Sequence, residues 1–368
     1  DGVIYDTSGV YTNNFTDING CDSLVNLTLK IFEDSSVTYI TACDSAEWNG
    51  IWYYNDTIVT DTGFYTSIAF GGSSDDLSGN EGNIWYFGTN AGLDFNSGIP
   101  VAISDGQLDT YEGCASIADQ NGDLLFYTDG MVVYNKNHFI MPNGSGLLGN
   151  SSSSQSAIIV KKPASNTIYY VFTADGTSGA LGGISYSEVD MALNGGLGDI
   201  NTNKNILVVP GADEKITAVT HQNSIDFWIV VRLINSNTYH SYSLTSLGLN
   251  LIPIVTNIGP VYSGEIGYLK ASPDGTKIAA ANWYSSAFEL YDFDKNTGLL
   301  SNLLTGYAPD AYGIEFSTNS NLLYVGEYYS GNINQYNLLA GSNAAIVNSC
   351  QTIGSLMLSA SCGAMQLG

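Results

Sequence analysis

The chain has 368 residues, 44% hydrophobic and only 12% charged, with 41 Gly and 25 Tyr. A net charge of −25, with ten basic residues in all, leaves no basic patch to track a phosphate backbone or an anionic lipid surface. Nucleic acid is thereby excluded as a partner, and the lack of any 18-residue apolar run excludes a membrane-spanning helix.

The chain opens on "DGVIYDTSGV", without an initiator Met or a signal peptide, so it is expected to be processed or part of something longer. Residues 1–13 align with 49–67, and 19–31 with 41–50 through a shared Cys-Asp-Ser triplet. "LVNLTLKI" alternates apolar and polar residues as a half-buried strand does. These units predict a partial small β module over 1–33 and a second over 34–70. The Gly/Ser/Asp-rich stretch 71–82 reads as a linker.

A longer period follows. Apolar strand pairs recur at 115–135, 157–175, 217–233, 269–283 and 314–328, with turns marked by Gly122, Asn166, Ser224, Gly275 and Ser320. Third strands follow at 287–298 and 331–341. Four short strands in roughly 45 residues is the period of a β-propeller blade. The fold class is therefore all-β. It comprises small β modules and then a propeller over 83–368, with about five blades counted from 83–92 and the opening strand of a sixth in 355–368. On that count, closure requires sequence beyond the last residue. Only 186–196 suggests a helical turn or two before a glycine stop.

The stretch 83–162 resembles the propeller region of large secreted cell-surface proteins of Bacteroidetes, exported by type IX secretion and often ending in a gliding-motility-associated sorting domain. The resemblance rests on "WYFG", "AGLDF", "EGCASIADQNGDLLFYTDG", "MPNGSGLLG" and "SQSAIIV", and on "GYLKASPDGTKIAAAN", "YGIEFSTNSNLLYV" and "GAMQLG" further on. The Cys-Asp-Ser and Trp-Asn-Gly units of 1–67 resemble short repeats beside such propellers. The second unit lacks a closing "NGCDS", so the partner usual for Cys43 is missing. The resemblance implies an extracellular, cell-surface location. It also makes Ser23, Ser45 and Thr57, each in an Asp-Ser/Thr-apolar triplet, candidate O-glycosylation sites.

Candidate chemistry is sparse. Glu112, Asp119, Asp123 and Asp129 crowd around Cys114, yet a nucleophilic thiol needs a base, and His138, His221 and His240 fall in different blades. Cys114 lies on the apolar side of its strand and reads as core. Asp119, Asn121 and Asp123, and Asp292, Asp294 and Asn296, offer alternating oxygen ligands for calcium. Both sets lack the loop glycine and distal Glu of a calcium loop and coincide with hairpin turns. "NGSGLLG" (143–149) only approaches a nucleophile elbow. Cys350 and Cys362 are close enough in sequence to bridge, while Cys21 pairs with Cys43 or with a cysteine upstream. Trp283, Tyr284, Tyr307, Tyr312, Tyr328 and Tyr329 fall near blade-connecting loops and form the strongest binding signal, beside the alternative that they fill inter-blade cores.

With no convergent catalytic set, the primary expectation is an extracellular structural or adhesion protein, its propeller a recognition head or assembly unit and no cofactor bound. Expected partners are other copies or segments of the same surface protein, as in a homo-oligomer, or glycans and proteins of another cell. The alternative is a propeller enzyme of lactonase or glycosidase type, or a calcium-dependent glycan-binding module. The enzyme requires acids and a His to converge at one mouth of the propeller.

Overall fold

The computed structural model describes residues 9–16, 22–32, 35–41, 46–48, 51–53, 80–176, 182–263, 266–355 and 361–367. The chain divides into two compact units, Asp1–Tyr65 and Thr66–Gly368. In the first, β1 (Gly9–Thr16), β2 (Asp22–Phe32) and β3 (Ser35–Thr41) form an antiparallel meander, with Thr16 opposite Asp22 and Phe32 opposite Ser35. That sheet spans the point where the repeat places a module boundary. A separate hairpin joins β4 (Ala46–Trp48) to β5 (Ile51–Tyr53). Ser23 stands in β2 opposite Phe15; Cys21, Cys43, Ser45 and Thr57 lie outside the described residues.

The second unit is a six-bladed β-propeller. Its first blade contains β6 (Ile84–Phe87), β7 (Ala91–Asp94) and β8 (Val101–Ile103). The next holds β9 (Ala115–Ala118), β10 (Leu124–Thr128), β11 (Val132–Asn135) and β12 (Ile140–Ser145). In the third, β13 (Ala157–Lys161), β14 (Ile168–Ala174) and β15 (Gly183–Asp190) carry β16 (Asp199–Ile200) and β17 (Ile206–Pro210) on their outer edge. The fourth likewise joins β18 (Ala212–Thr220), β19 (Phe227–Leu233) and β20 (Thr238–Thr245) to β21 (Gly248–Leu249) and β22 (Ile254–Asn257). Blade five is β23 (Leu269–Ala271), β24 (Lys277–Asn282), β25 (Ala287–Phe293) and β26 (Leu300–Tyr307). Blade six is β27 (Ala311–Phe316), β28 (Leu322–Glu327), β29 (Asn332–Asn337) and β30 (Gln351–Ser355).

The turn residues explain the register. Gly122, Ser224, Gly275 and Ser320 all sit at φ between 59° and 88° in the hairpins between first and second strands, the left-handed region such turns demand. In the remaining hairpin that role falls to Ala164 at φ 58°, two residues before the expected Asn166. The blades then bury their faces against each other. Ile158, Val160, Tyr170 and Phe172 of the third blade pack with Ile216, Ala218, Ile229 and Val231 of the fourth. Equivalent clusters fill the other described seams between consecutive blades. The sheets of blades two to five are thus covered on both sides, which is why their strands are so short and so apolar.

Two expectations are corrected. Residues 84–103 form a sheet of their own instead of opening the blade at 115–145, so six sheets are complete by Ser355. Residues 186–190 continue β15, because they pair with β14 and face the core, and helical structure is confined to a 3-10 turn at Asn194–Gly196. A short helix, Asn343–Asn348, appears instead before the last strand, capped by the Ser342 hydroxyl.

The terminal stretch belongs against the sixth blade. Cys362 N donates to Tyr328 O at 3.1 Å, Ala364 joins the core of blades five and six, and Gln366 reaches Lys270 at 2.6 Å. Two glycines permit this approach: a Cβ at Gly313 would lie 2.3 Å from Gly363 O, and one at Gly326 2.5 Å from Cys362 Sγ. Cys362 is therefore buried against Gly326 while Cys350 is exposed after the helix, and both thiols are free. The expected 350–362 disulfide is not formed, since the two cysteines pack in different surroundings. Substituting Gly326→Val should cost about 1–3 kcal/mol by overpacking. It should also make Cys362 reactive toward a thiol reagent in the folded protein, read by thermal denaturation together with timed labelling.

Candidate active site where the inner strands begin

The first strands of the blades start at one end of the propeller, and polar residues gather there. Ser153–Ser156 precede β13, and Gln155 spans three blades. Its Nε2 donates to Ile216 O and Leu269 O at 2.9 and 3.1 Å, and its Oε1 accepts from the amides of the same two residues at 3.2 and 2.8 Å. Beside it, Glu214 Oε2 accepts from Ser154 N at 2.8 Å and Ser154 Oγ at 3.0 Å, while that hydroxyl accepts from Gly267 N at 2.9 Å. Gly113 N donates to Ser153 O, and a Cβ at Gly113 would sit 2.1 Å from Ser156 N, so only glycine lets the chain bring Glu112 this close.

Glu112 is the most strongly perturbed carboxyl of this cluster. Burial first, and then the charge of Glu214, push its carboxyl up to about 7, against a smaller opposing contribution from the Tyr312 hydroxyl. Tyr312 faces both Glu112 and Ser154. Burial holds Tyr312 and Tyr268 well above the ordinary phenol value, so both remain hydrogen-bond donors at any physiological pH. The neighbouring cations are held inside the protein. Lys270 Nζ lies 3.1 Å from Glu315 and 2.6 Å from Gln366, and Arg232 donates to Asn282 with Asp213 at 3.9 Å.

The aromatic residues singled out in the sequence converge next to this acid pair. Trp283 and Tyr284 follow β24, and Tyr328 and Tyr329 follow β28, in equivalent turns of adjacent blades. Ring centroids are 4.9 Å apart for Trp283–Tyr284, 5.8 Å for Trp283–Tyr329 and 5.2 Å for Tyr328–Tyr329; Tyr312–Tyr328, at 5.5 Å, links the group to Glu112. Tyr312 is buried and Tyr328 packs on the core, as the inter-blade reading requires, whereas Tyr284 and Tyr329 are 64% and 68% exposed. Tyr307 ends β26 and takes no part among these ring contacts.

The other candidates lie elsewhere. Cys114 is fully buried in the seam between blades one and two, where burial, then Asp129, pushes its thiol up to about 12; it is a core residue. Asp119 spends Oδ1 on the amides of Asn121 and Asp123 at 2.8 and 3.0 Å, and Asp294 on those of Asn296 and Thr297 at 2.8 and 3.3 Å. Asp292 is paired to Lys277 at 2.7 Å. These carboxylates brace hairpins, and no cluster of three or more metal-ligating side chains occurs among the described residues. His138 bridges Tyr127 and Asp105, His221 sits in the turn after β18, and His240 faces Tyr242 on β20, so no His joins the acids. Ser145 of "NGSGLLG" closes the edge strand β12.

Glu112 stands out in the sequence only beside Cys114, and its partners Ser154 and Glu214 escape sequence reading because they are far away along the chain. One signal was available: Glu112 and Glu214 each stand ten positions before their hairpin markers, Gly122 and Ser224, and so occupy the same phase of the repeat.

No protein-family model matches this chain, and no curated protein matches it. Solved structures do resemble it. One is a candidate 6-phosphogluconolactonase of Bacteroides fragilis, 12% identical, covering 92% of this chain and 96% of its own, with a TM-score of 0.50. A candidate 6-phosphogluconolactonase of Bacteroides uniformis is 11% identical over 92% of this chain and 93% of its own, TM-score 0.47. The periplasmic gluconolactonase of Pseudomonas aeruginosa is 11% identical over 94% and 81%, TM-score 0.45. At these identities the likeness is one of fold, the β-propeller.

The raised Glu112 carboxyl has a consequence for stability. The folded state holds that proton more tightly than the unfolded chain does. Its contribution is therefore complete below the unfolded value of 4.5 and is lost as pH rises through about 7. Glu112→Gln should leave the melting temperature unchanged near pH 4.5. Above pH 7 it should stabilise the protein by about 1–2 kcal/mol, after discounting for partial exposure.

Proposed function

We propose that the chain is a propeller hydrolase that opens a sugar lactone at the site formed by Glu112, Glu214, Ser154 and Tyr312. The observation that carries this reading is the convergence of Glu112 and Glu214 on one mouth, where the carboxyl of Glu112 is poised near neutrality. In the ionised form Glu112 takes a proton from water, and the resulting hydroxide adds to the lactone carbonyl carbon. The Tyr312 phenol donates to the oxyanion. The ring C–O bond then breaks, and Glu112 returns the proton to the leaving alkoxide. Glu214, anchored by Ser154, supplies the charge that keeps the Glu112 base strong enough to act. A lactone suits this set better than a glycoside, because one base and one oxyanion donor complete the chemistry without a second carboxyl beside the scissile bond. The propeller fold also occurs in a candidate lactonase, so the scaffold is compatible with the reaction.

A second reading keeps the propeller as an extracellular recognition head of a type IX-exported Bacteroidetes surface protein, alone or in a homo-oligomer, binding cell-surface glycans or proteins. The exposed rings of Tyr284 and Tyr329 favour it. The two readings separate in one assay, hydrolysis of D-glucono-1,5-lactone followed across pH. The hydrolase should show kcat/KM rising to a plateau above about pH 7, and Glu112→Gln should lose about 10²-fold or more. A wild-type protein without turnover leaves only the recognition head.

A further inference from the structure

The mouth carries a second set of residues that the hydrolytic step leaves unused. Trp283, Tyr284, Tyr328 and Tyr329 come from equivalent turns of blades five and six, and Tyr328 lies against Tyr312, the proposed oxyanion donor. Large rings at more than 60% exposure, as in Tyr284 and Tyr329, cost hydration free energy unless something covers them. The indole Nε1 of Trp283 is buried and has no hydrogen-bond partner, an uncommon condition for a tryptophan donor. A pyranose answers the exposed rings, whose faces take its C–H groups.

Charge then decides which sugar. A phosphorylated sugar needs a cation that can meet its phosphate. The three cations on this side of the propeller, Lys215, Arg232 and Lys270, are each no more than 1% exposed, and Arg232 and Lys270 already face carboxylates. Around them stand Glu112, Asp213, Glu214, Glu289 and Glu315 on a chain of net charge −25. A phosphate dianion brought to this mouth would be repelled and left unpaired. We propose that the aromatic group is a sugar-ring platform, and that the substrate is a neutral, non-phosphorylated saccharide lactone whose ring stacks on Trp283 and Tyr329 with its carbonyl toward Glu112. The inference rests on the lactone reading of the same mouth but concerns binding, so it is measured apart from turnover.

The test is calorimetric titration of D-glucono-1,5-lactam and of its 6-phosphate, in the wild type, Glu112→Gln, Tyr329→Ala and Tyr329→Phe. The neutral lactam should bind wild type and Glu112→Gln alike, and the 6-phosphate at least about tenfold more weakly. Tyr329→Ala should weaken the lactam by about tenfold at an unchanged melting temperature, and Tyr329→Phe should restore it. Equal or tighter binding of the 6-phosphate, no lactam binding, or an affinity indifferent to Tyr329→Ala would overturn the platform. Failure of hydrolysis with lactam binding intact would refute the base assignment alone and leave the platform standing.

Discussion

Three of the six blades are tied together by one side chain. Gln155 has two donors and two acceptor sites on its amide, and the structure uses all four on the inner strands of the next two blades. Buried amides are costly when unpaired and geometrically demanding when paired. The position of this one fixes where β18 and β23 begin relative to β13. Everything chemically interesting about the mouth follows from that spacing. Ser154, the preceding residue, anchors Glu214, and Gly113 is pressed onto Ser153 and Ser156, which delivers Glu112.

The outer parts of the fold obey a simpler rule. Blades two to five bury both faces against their neighbours, so the sheets can be short, and Ala, Val, Ile and Tyr suffice where larger cores would need longer elements. The terminal segment extends this logic to the sixth blade: Gly313 and Gly326 clear a path along it, and Cys362 and Ala364 fill that path. The ion pair of Lys270 with Glu315 then joins blades five and six, with Gln366 as a third partner.

Much of this was legible in the sequence. Alternation and turn chemistry revealed the propeller, because hairpins of this kind need residues such as Gly122, Gly275, Ser224 and Ser320 in the left-handed region. The grouping of Trp283, Tyr284, Tyr328 and Tyr329 was legible in part, since they fall near blade-connecting loops. The first blade was miscounted because its strands lack the long apolar pairs of the others, and β8 is only three residues long. The acid pair was invisible for a different reason. Glu112 and Glu214 lie in different blades and meet only when the ring forms, and neither carries a local motif. His138, His221 and His240 are separated in the structure as their spacing in the sequence implies, and none meets the acids. What makes Glu112 reactive is burial and a neighbouring charge, both properties of the assembled fold.

The account therefore depends on where a sugar lactone sits. The most direct measurement is a crystal structure of the protein with D-glucono-1,5-lactam bound. The account predicts the lactam carbonyl beside the Tyr312 hydroxyl, its C1 facing Glu112, and its ring against Trp283 and Tyr329. A lactam seated at the opposite end of the propeller, or at this mouth with its carbonyl turned away from Glu112 and Tyr312, would contradict it.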